Sequence, residues 1–151
     1  MAYLLVDLRR SRQKIAEVLD FRRALEPEVA RVAAEDATPD ELAGVADVCE
    51  RGTHAASDSE PMRHDTDFHL RIAQASHNRC FIEAVEQVRL ALSEALVALP
   101  ESGLWHDRTA REHAAIVEAL ARRDGGAAAA AMLRHVENTA KSIRALLNAL
   151  R

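Results

Sequence analysis

Asp65, His69, His113 and His135 are the residues of this 151-residue chain best placed to do chemistry. Asp65 and His69 lie four apart in the stretch HDTDFH, so on a helix they share one face. His113 and His135 lie 22 apart, with Asp124-Gly125-Gly126 halfway between them. One carboxylate and three imidazoles brought to a point form a divalent-metal site. This donor set suits Zn²⁺ first, with Ni²⁺, Mn²⁺ or Fe²⁺ as alternatives. Four protein ligands on an ion that takes five or six leave room for water or for a carboxylate from a bound molecule.

Helical spacing gives each histidine an apolar stripe. His69 shares its face with Phe68, Ile72 and Ala73, His113 with Ile116, Val117 and Leu120, and His135 with Met132, Val136, Thr139 and Ile143. His113 stands 11 residues before Asp124 and His135 stands 11 after it. At 1.5 Å rise per residue, both lie about 16 Å from the break, at equal height in an antiparallel pair. No such arithmetic closes for Asp65 and His69, whose height is an assumption. Three separately satisfied core histidines are the alternative, and spacing alone leaves it open. His54, His77 and His106 fall near helix ends or in loops, where a solvated role is expected. His64 neighbours Asp65 but points off its face.

These residues need helices to position them, and the composition supplies helices. Leu, Ala, Glu and Arg are abundant, and there are only five Gly and four Pro. The pattern predicts an all-α antiparallel bundle of about six helices around a central metal and ligand pocket. Residues 1–12 read as a lead-in segment or linker and 13–150 as one domain. A helix is expected over about 11–34, kinked or broken at Pro27. Thr38-Pro39-Asp40-Glu41 carries a capping box and opens a second helix to about Thr53. A third helix runs from the Ser57–Pro61 region to about Ser76. Asn78 caps a fourth, on which Phe81, Val85, Val88, Leu92 and Leu96 keep helical spacing. Pro100 to Asp107 reads as a loop, then a fifth helix covers about 108–123. Asp124-Gly125-Gly126 breaks it, and Asp124 caps a sixth that runs to about Ala149.

At 48% hydrophobic and 29% charged, the chain is neither disordered nor membrane-like. No run approaches the roughly 20 apolar residues of a membrane span. No signal peptide is evident, so a cytoplasmic location is expected. Net charge is −4, and the Arg-Arg pairs are scattered without interleaved aromatics, which argues against DNA or RNA binding by this chain alone. Cys49 and Cys80 make no disulfide framework and are expected to be small buried residues.

The runs RRALEPEVARVAAEDATPDEL, DTDFHLRIAQASHN and EHAAIVEALARRDGGAAAAAMLRHV, in that order, resemble the FCD effector-binding domain of the FadR subfamily of GntR-type bacterial transcription regulators. The resemblance covers about residues 13–148. In the metal-binding branch of that family, an Asp and a His four apart on one helix join two later histidines around a divalent ion. Asp65, His69, His113 and His135 occupy the matching positions. The resemblance further implies a homodimer, a small organic acid effector reaching the metal, and an Arg from an early helix in the same pocket. Arg22 fits that role best, with Asn78 as a further effector-binding candidate. It also implies that DNA is bound only through a winged helix-turn-helix domain, which this chain lacks.

The expected function is therefore that of a metal-dependent small-carboxylate sensor and dimerisation domain of a transcriptional regulator, and not an enzyme. Two alternatives stand beside it. His64-Asp65 is an HD pair, which would suit a metal-dependent phosphohydrolase if Asp107 or Asp124 supplied the distant carboxylate. A purely structural helical bundle is the other.

Overall fold

The computed structural model describes residues 2–54, 61–96 and 106–149. They form six α-helices: α1 (Ala2–Asp36), α2 (Pro39–His54), α3 (Pro61–Ala75), α4 (Arg79–Leu96), α5 (His106–Ala121) and α6 (Gly125–Ala149). No strand occurs among the described residues. The expected helix openings at Ser57–Glu60 and the loop over 100–105 lie outside them.

Helix α1 is the spine, packing against α3, α4, α5 and α6, with its largest contact on α6. Its backbone is helical from Ala2, well before the expected start near Ser11. It also continues through Pro27 without the break that was one of the two expectations there. Proline removes one helical hydrogen bond, at a cost of about 3 kcal/mol in a helix interior. Burial of Glu26, Val29, Ala30, Ala33 and Ala34 around it holds the helix together regardless. Local propensity loses here to tertiary packing.

The helix starts follow their caps. Thr38 N donates to Glu41 Oε2 (2.7 Å) and Glu41 N to Thr38 Oγ1 (3.2 Å), the reciprocal capping box at α2. Asn78 Oδ1 accepts from Cys80 N (3.0 Å) and Phe81 N (3.3 Å) at α4. Asp124 Oδ1 accepts from Ala127 N at α6 (2.9 Å). Cys49 is half-buried, whereas Cys80 is exposed, contrary to expectation, because it occupies the outward first turn of α4.

The α5–α6 reversal differs from the sequence reading. Arg123, not a glycine, takes the left-handed conformation (φ 57°). Arg123 N donates to Leu120 O (3.0 Å) and Asp124 N to Ala119 O (3.1 Å), closing α5 in a Schellman arrangement. The Arg123 side chain donates to the Ala37 carbonyl at the end of α1. Gly125 and Gly126 belong to the first turn of α6. A Cβ on Gly125 would lie 2.9 Å from Glu35 Oε1, 3.0 Å from Arg31 Cγ and 3.3 Å from Arg31 O, so this glycine lets α6 close onto α1.

The apolar core has two parts. The larger holds Val29, Ala33, Val45, Val48, Phe68, Ile72, Val85, Ile116, Leu120, Met132 and Val136. The smaller holds Ile15, Leu19, Val88, Leu92, Ala140 and Ile143. Between them along α1 come Arg22 and Glu26, and along α6 come His135 and Thr139, all buried. A polar layer thus divides the core.

The Gly125 contact yields a stability test. Gly125→Val should lose roughly 1–3 kcal/mol in urea unfolding, the cost of overpacking a closed contact. Gly126→Ala should be neutral or stabilising by up to about 1 kcal/mol, since Gly126 is exposed and Ala favours helix. Equal effects at the two positions would refute the close-approach role of Gly125.

Candidate metal centre

Five helices contribute to the polar layer. Helix α3 brings Asp65 and His69, α5 brings Glu112 and His113, and α6 brings His135. Helix α1 adds Arg22 and Glu26, and α4 adds Arg89. Each sits on an inward face set by its apolar neighbours. Phe68 and Ile72 flank His69, Ile116 and Leu120 continue the His113 stripe, and Met132 and Val136 flank His135.

The four expected ligand residues converge. One donor atom from each of Asp65, His69, His113 and His135 lies within 4.8 Å of the others. His135 Nε2 is 3.2 Å from His69 Nε2 and 3.3 Å from His113 Nε2. Asp65 Oδ1 is 3.2 Å from His113 Nε2 and 3.5 Å from His69 Nε2. The α5–α6 histidines meet at the height that the residue count gives, and α3 delivers its pair to the same level. Phe68 stacks on His113 with ring centroids 3.9 Å apart, fixing that ring. No other group of three or more such residues converges this way among the described residues.

The rear nitrogens of two rings face carboxylates. His135 Nδ1 lies 2.8 Å from Glu112 Oε2. His69 Nδ1 lies 2.5 Å from Glu26 Oε2, close but off the line of an ideal N–H···O bond. Glu26 Oε1 accepts from Arg22 Nε (2.7 Å), and Glu112 Oε1 accepts from Asn138 Nδ2 (2.7 Å). An ionised carboxylate only accepts, so the facing Nδ1 must carry the proton and Nε2 the lone pair. Lone pairs of His69 and His135 then face one another across 3.2 Å. That crowding is unfavourable without a cation or donor among them. Arg22 Nη2 supplies one donor, 3.0 Å from His69 Nε2.

Electrostatics agree with acceptor-only carboxylates and with neutral rings at His113 and His135. Burial raises the Asp65 carboxyl, but Arg89 and the neighbouring histidines outweigh it and hold it well below the usual range. For Glu26, burial likewise acts upward and is overcome by Arg22 and His69, leaving it lowered. Glu112 is lowered too, as His135 and Asn138 outweigh its partial burial. Burial pushes His135 down to about 3 against the opposing bond to Glu112. Burial also lowers His113, against Asp65. Neutral imidazoles and an ionised carboxylate are the ligand forms that a divalent cation requires.

Beyond Glu26 Oε2, His69 Nδ1 and Arg108 Nε, two further buried polar atoms lack a hydrogen bond and test the fit directly. Asp65 Oδ1 is one, facing the Nε2 atoms, while Oδ2 is held by Arg89. Arg22 Nη1 is the other. A buried carboxylate oxygen left open toward three imidazole nitrogens fits a cation.

Other expected residues lie elsewhere. Asn78 is exposed at the α3–α4 turn, with its Oδ1 committed to the α4 cap. His54 and His77 are exposed, and His77 pairs with Glu41 (2.9 Å). His64 packs near Gly52 of α2, apart from the cluster. Sequence reasoning assigned no role to Glu26, Arg89 or Glu112. For Arg89 and Glu26 there was a signal. Each interrupts an apolar stripe, Arg89 among Val85, Val88 and Leu92, and Glu26 between Leu19 and Val29. Glu112 had none beyond its place next to His113.

The described helices close into an all-helical bundle around a buried donor cluster, a fold shared with solved GntR-type proteins. Residues 17–138 match the FCD domain family, and the chain belongs to it. Its relatives are GntR-family transcriptional regulators. It is 31% identical over 133 residues to the HTH-type transcriptional regulator LutR of Bacillus subtilis, covering 84% of this chain and 61% of that protein. It is 27% identical over 136 residues to the galactonate operon transcriptional repressor of Escherichia coli, covering 86% and 58%. Among solved structures, Streptococcus agalactiae GntR superposes with a TM-score of 0.76 at 21% identity, over 87% of this chain and 60% of that one. E. coli McbR/YncC superposes at 0.75 and 19% identity, over 90% and 65%. The chain therefore spans about three-fifths of the length of these curated relatives.

The Asp65–Arg89 pair should dominate the stability of the layer. Arg89→Met should cost roughly 3–5 kcal/mol, because it strands a buried carboxylate. Asp65→Asn combined with Arg89→Met should lose clearly less than Arg89→Met alone. Chemical denaturation in chelator separates the two; a double variant no more stable than the single one would contradict the pairing.

Proposed function

We propose that this chain is the metal-dependent small-carboxylate-sensing and dimerisation domain of a GntR/FadR-type transcriptional regulator. The observation that carries the reading is the convergence of Asp65 Oδ1 with three imidazole Nε2 atoms, beside a buried guanidinium with one arm unpartnered. Asp65, His69, His113 and His135 would hold a divalent cation, Zn²⁺ first. A cation there supplies open coordination positions that attract an anionic oxygen. Arg22 stands at the same point and offers a planar fork suited to a carboxylate's two oxygens. The galactonate operon repressor is named for the operon of a sugar acid, which makes sugar acids and hydroxy-acids the first candidates. Asn78, held in the α4 cap, contributes to the pocket only if that cap opens.

Regulation on this reading is a population shift between two dimer arrangements. The acid must bind one arrangement more tightly than the other, since equal affinity shifts nothing. DNA contact is assigned to a separate winged helix-turn-helix domain. The phosphohydrolase alternative draws no support from the geometry: Asp124 caps α6, and Asp107 and His54 are exposed. No described helix is long and apolar enough to cross a membrane.

Elemental analysis of protein purified without affinity-tag metal or chelator should find close to one divalent ion per chain. His135→Ala should abolish that content. Arg22→Lys keeps a charge beside Glu26 but loses the fork. It should retain the metal and weaken a calorimetrically detected sugar acid at least about tenfold, or ~1.4 kcal/mol. A metal-free wild type with no thermal shift on adding Zn²⁺, Ni²⁺ or Mn²⁺ would refute the metal reading. Unchanged acid affinity in Arg22→Lys would remove Arg22 from the ligand site.

Light scattering should report a dimer, and duplex DNA should not be retained at physiological salt. A monomer at high concentration would refute the dimerisation role. Tight, salt-sensitive DNA binding would refute the assignment of DNA to another domain.

A further inference from the structure

We infer that Glu26 and Glu112 are the positioning residues of this centre, each holding one ligand histidine in the Nδ1–H tautomer so that its Nε2 lone pair faces inward. The inference rests on the metal-binding reading and assigns to two carboxylates the step that makes the rings competent. Neither touches the convergence point itself; both act through a ring.

The chemistry follows from how each carboxylate is used. Glu112 accepts on Oε2 from His135 Nδ1 and on Oε1 from Asn138 Nδ2. Glu26 faces His69 Nδ1 with Oε2 and accepts from Arg22 Nε on Oε1. Each group therefore confronts two donors at once. Only a carboxylate offers two acceptor oxygens in that shape. The isosteric amide turns one acceptor into a donor, so one of the two facing N–H groups must lose its partner. A neutral imidazole free of such a partner can place its proton on Nε2, which removes the inward lone pair. A carboxylate behind a ligand histidine also raises the basicity of the ring, and losing such a partner weakens metal binding by about 10–100-fold.

The two carboxylates are not equivalent. Glu112 sits at the edge of the layer, supported by Asn138 and by Arg108 3.4 Å away. Glu26 is fully buried and shares its oxygens between His69 and Arg22, so it ties a metal-ligand ring to the candidate acid-binding residue. Helix α1, through Glu26 and Arg22, is in this way mechanically joined to α3.

The test has two independent readouts on the intact chain. Long-range ¹⁵N–¹H spectra of imidazole-labelled, chelator-treated wild type should show His69 and His135 protonated at Nδ1 and bare at Nε2. An Nε2–H form of either ring overturns the inference, and this measurement requires no bound metal. Competitive Zn²⁺ titration should show Glu112→Gln and Glu26→Gln binding about 10–100-fold more weakly than wild type. Glu118→Gln, exposed on the same helix as Glu112, should bind as wild type does. Wild-type affinity in folded Glu112→Gln overturns the inference. Absence of Zn²⁺ binding by the wild type instead overturns the metal reading on which it rests. Should Glu26→Gln fail to fold, the His69 tautomer in wild type still decides the case for Glu26.

Discussion

Burying ionised groups between two apolar clusters is the constraint around which this bundle is arranged. Removing a carboxylate or guanidinium from water costs several kcal/mol per ion even after relaxation. The deep layer contains Glu26, Asp65, Arg22 and Arg89, two charges of each sign. Each anion meets a cation: Glu26 meets Arg22 along α1, and Asp65 meets Arg89 across the α3–α4 contact. The second pair crosses helices, so α3 and α4 cannot slide past one another without stranding Asp65 or Arg89. Arg22 reaches from α1 to His69 of α3, and the histidines of α5 and α6 meet it in the same layer. Helix α2 contributes nothing to it and packs through Val45 and Val48 on the outside of α3 and α5.

Pairing the charges does not finish satisfying the layer, and the remainder is informative. Four ionised groups balance, yet Asp65 Oδ1 and Arg22 Nη1 still lack hydrogen bonds. Buried polar atoms without partners are rare in native folds, and they concentrate where a ligand or ion completes the set. The two atoms differ in sign and in what they seek. An open carboxylate oxygen among imidazole lone pairs accepts a cation, and an open guanidinium arm accepts an anion. A cation and an acid bound together answer both, whereas either alone leaves one atom unsatisfied. On the proposed sensor reading, joint occupancy would satisfy both atoms where either ligand by itself would not.

Much of this was legible in the chain, for identifiable reasons. The caps at Thr38, Asn78 and Asp124 act over three residues, so sequence displays them directly. The meeting of His113 and His135 follows from one turn and a fixed rise per residue. Arrival of Asp65 and His69 at the same level depends on the packing of α3 against α1 and α4, which no count of residues contains. Pro27 does not break α1 because helix propensity is local while the burial that overrides it is not. The glycines after Asp124 misled. Gly125 lets α6 approach α1, and the turn itself is made by Arg123, whose strain is offset by a bond to Ala37 far along the chain. Arg89 and Glu112 escaped notice because a charged residue on a helix is normally solvated. Only the partner across the bundle gives such a residue its role.

On the sensor reading, the same connections describe how occupancy could reach the rest of the molecule. Arg22 touches His69 and Glu26, and Glu26 in turn faces His69, so the three form a closed triangle between α1 and α3. An acid that engages Arg22 must redraw that triangle. The change is borne by α1, because both Arg22 and Glu26 belong to it. One and two turns away, Leu19 and Ile15 pack with Val88, Leu92 and Ile143, so α1 carries α4 and α6 with it. The larger core, built on small alanines of α1, lies on the other side of the polar layer. A ligand at that layer would therefore sit at the boundary between the two clusters, where α1 passes from one to the other.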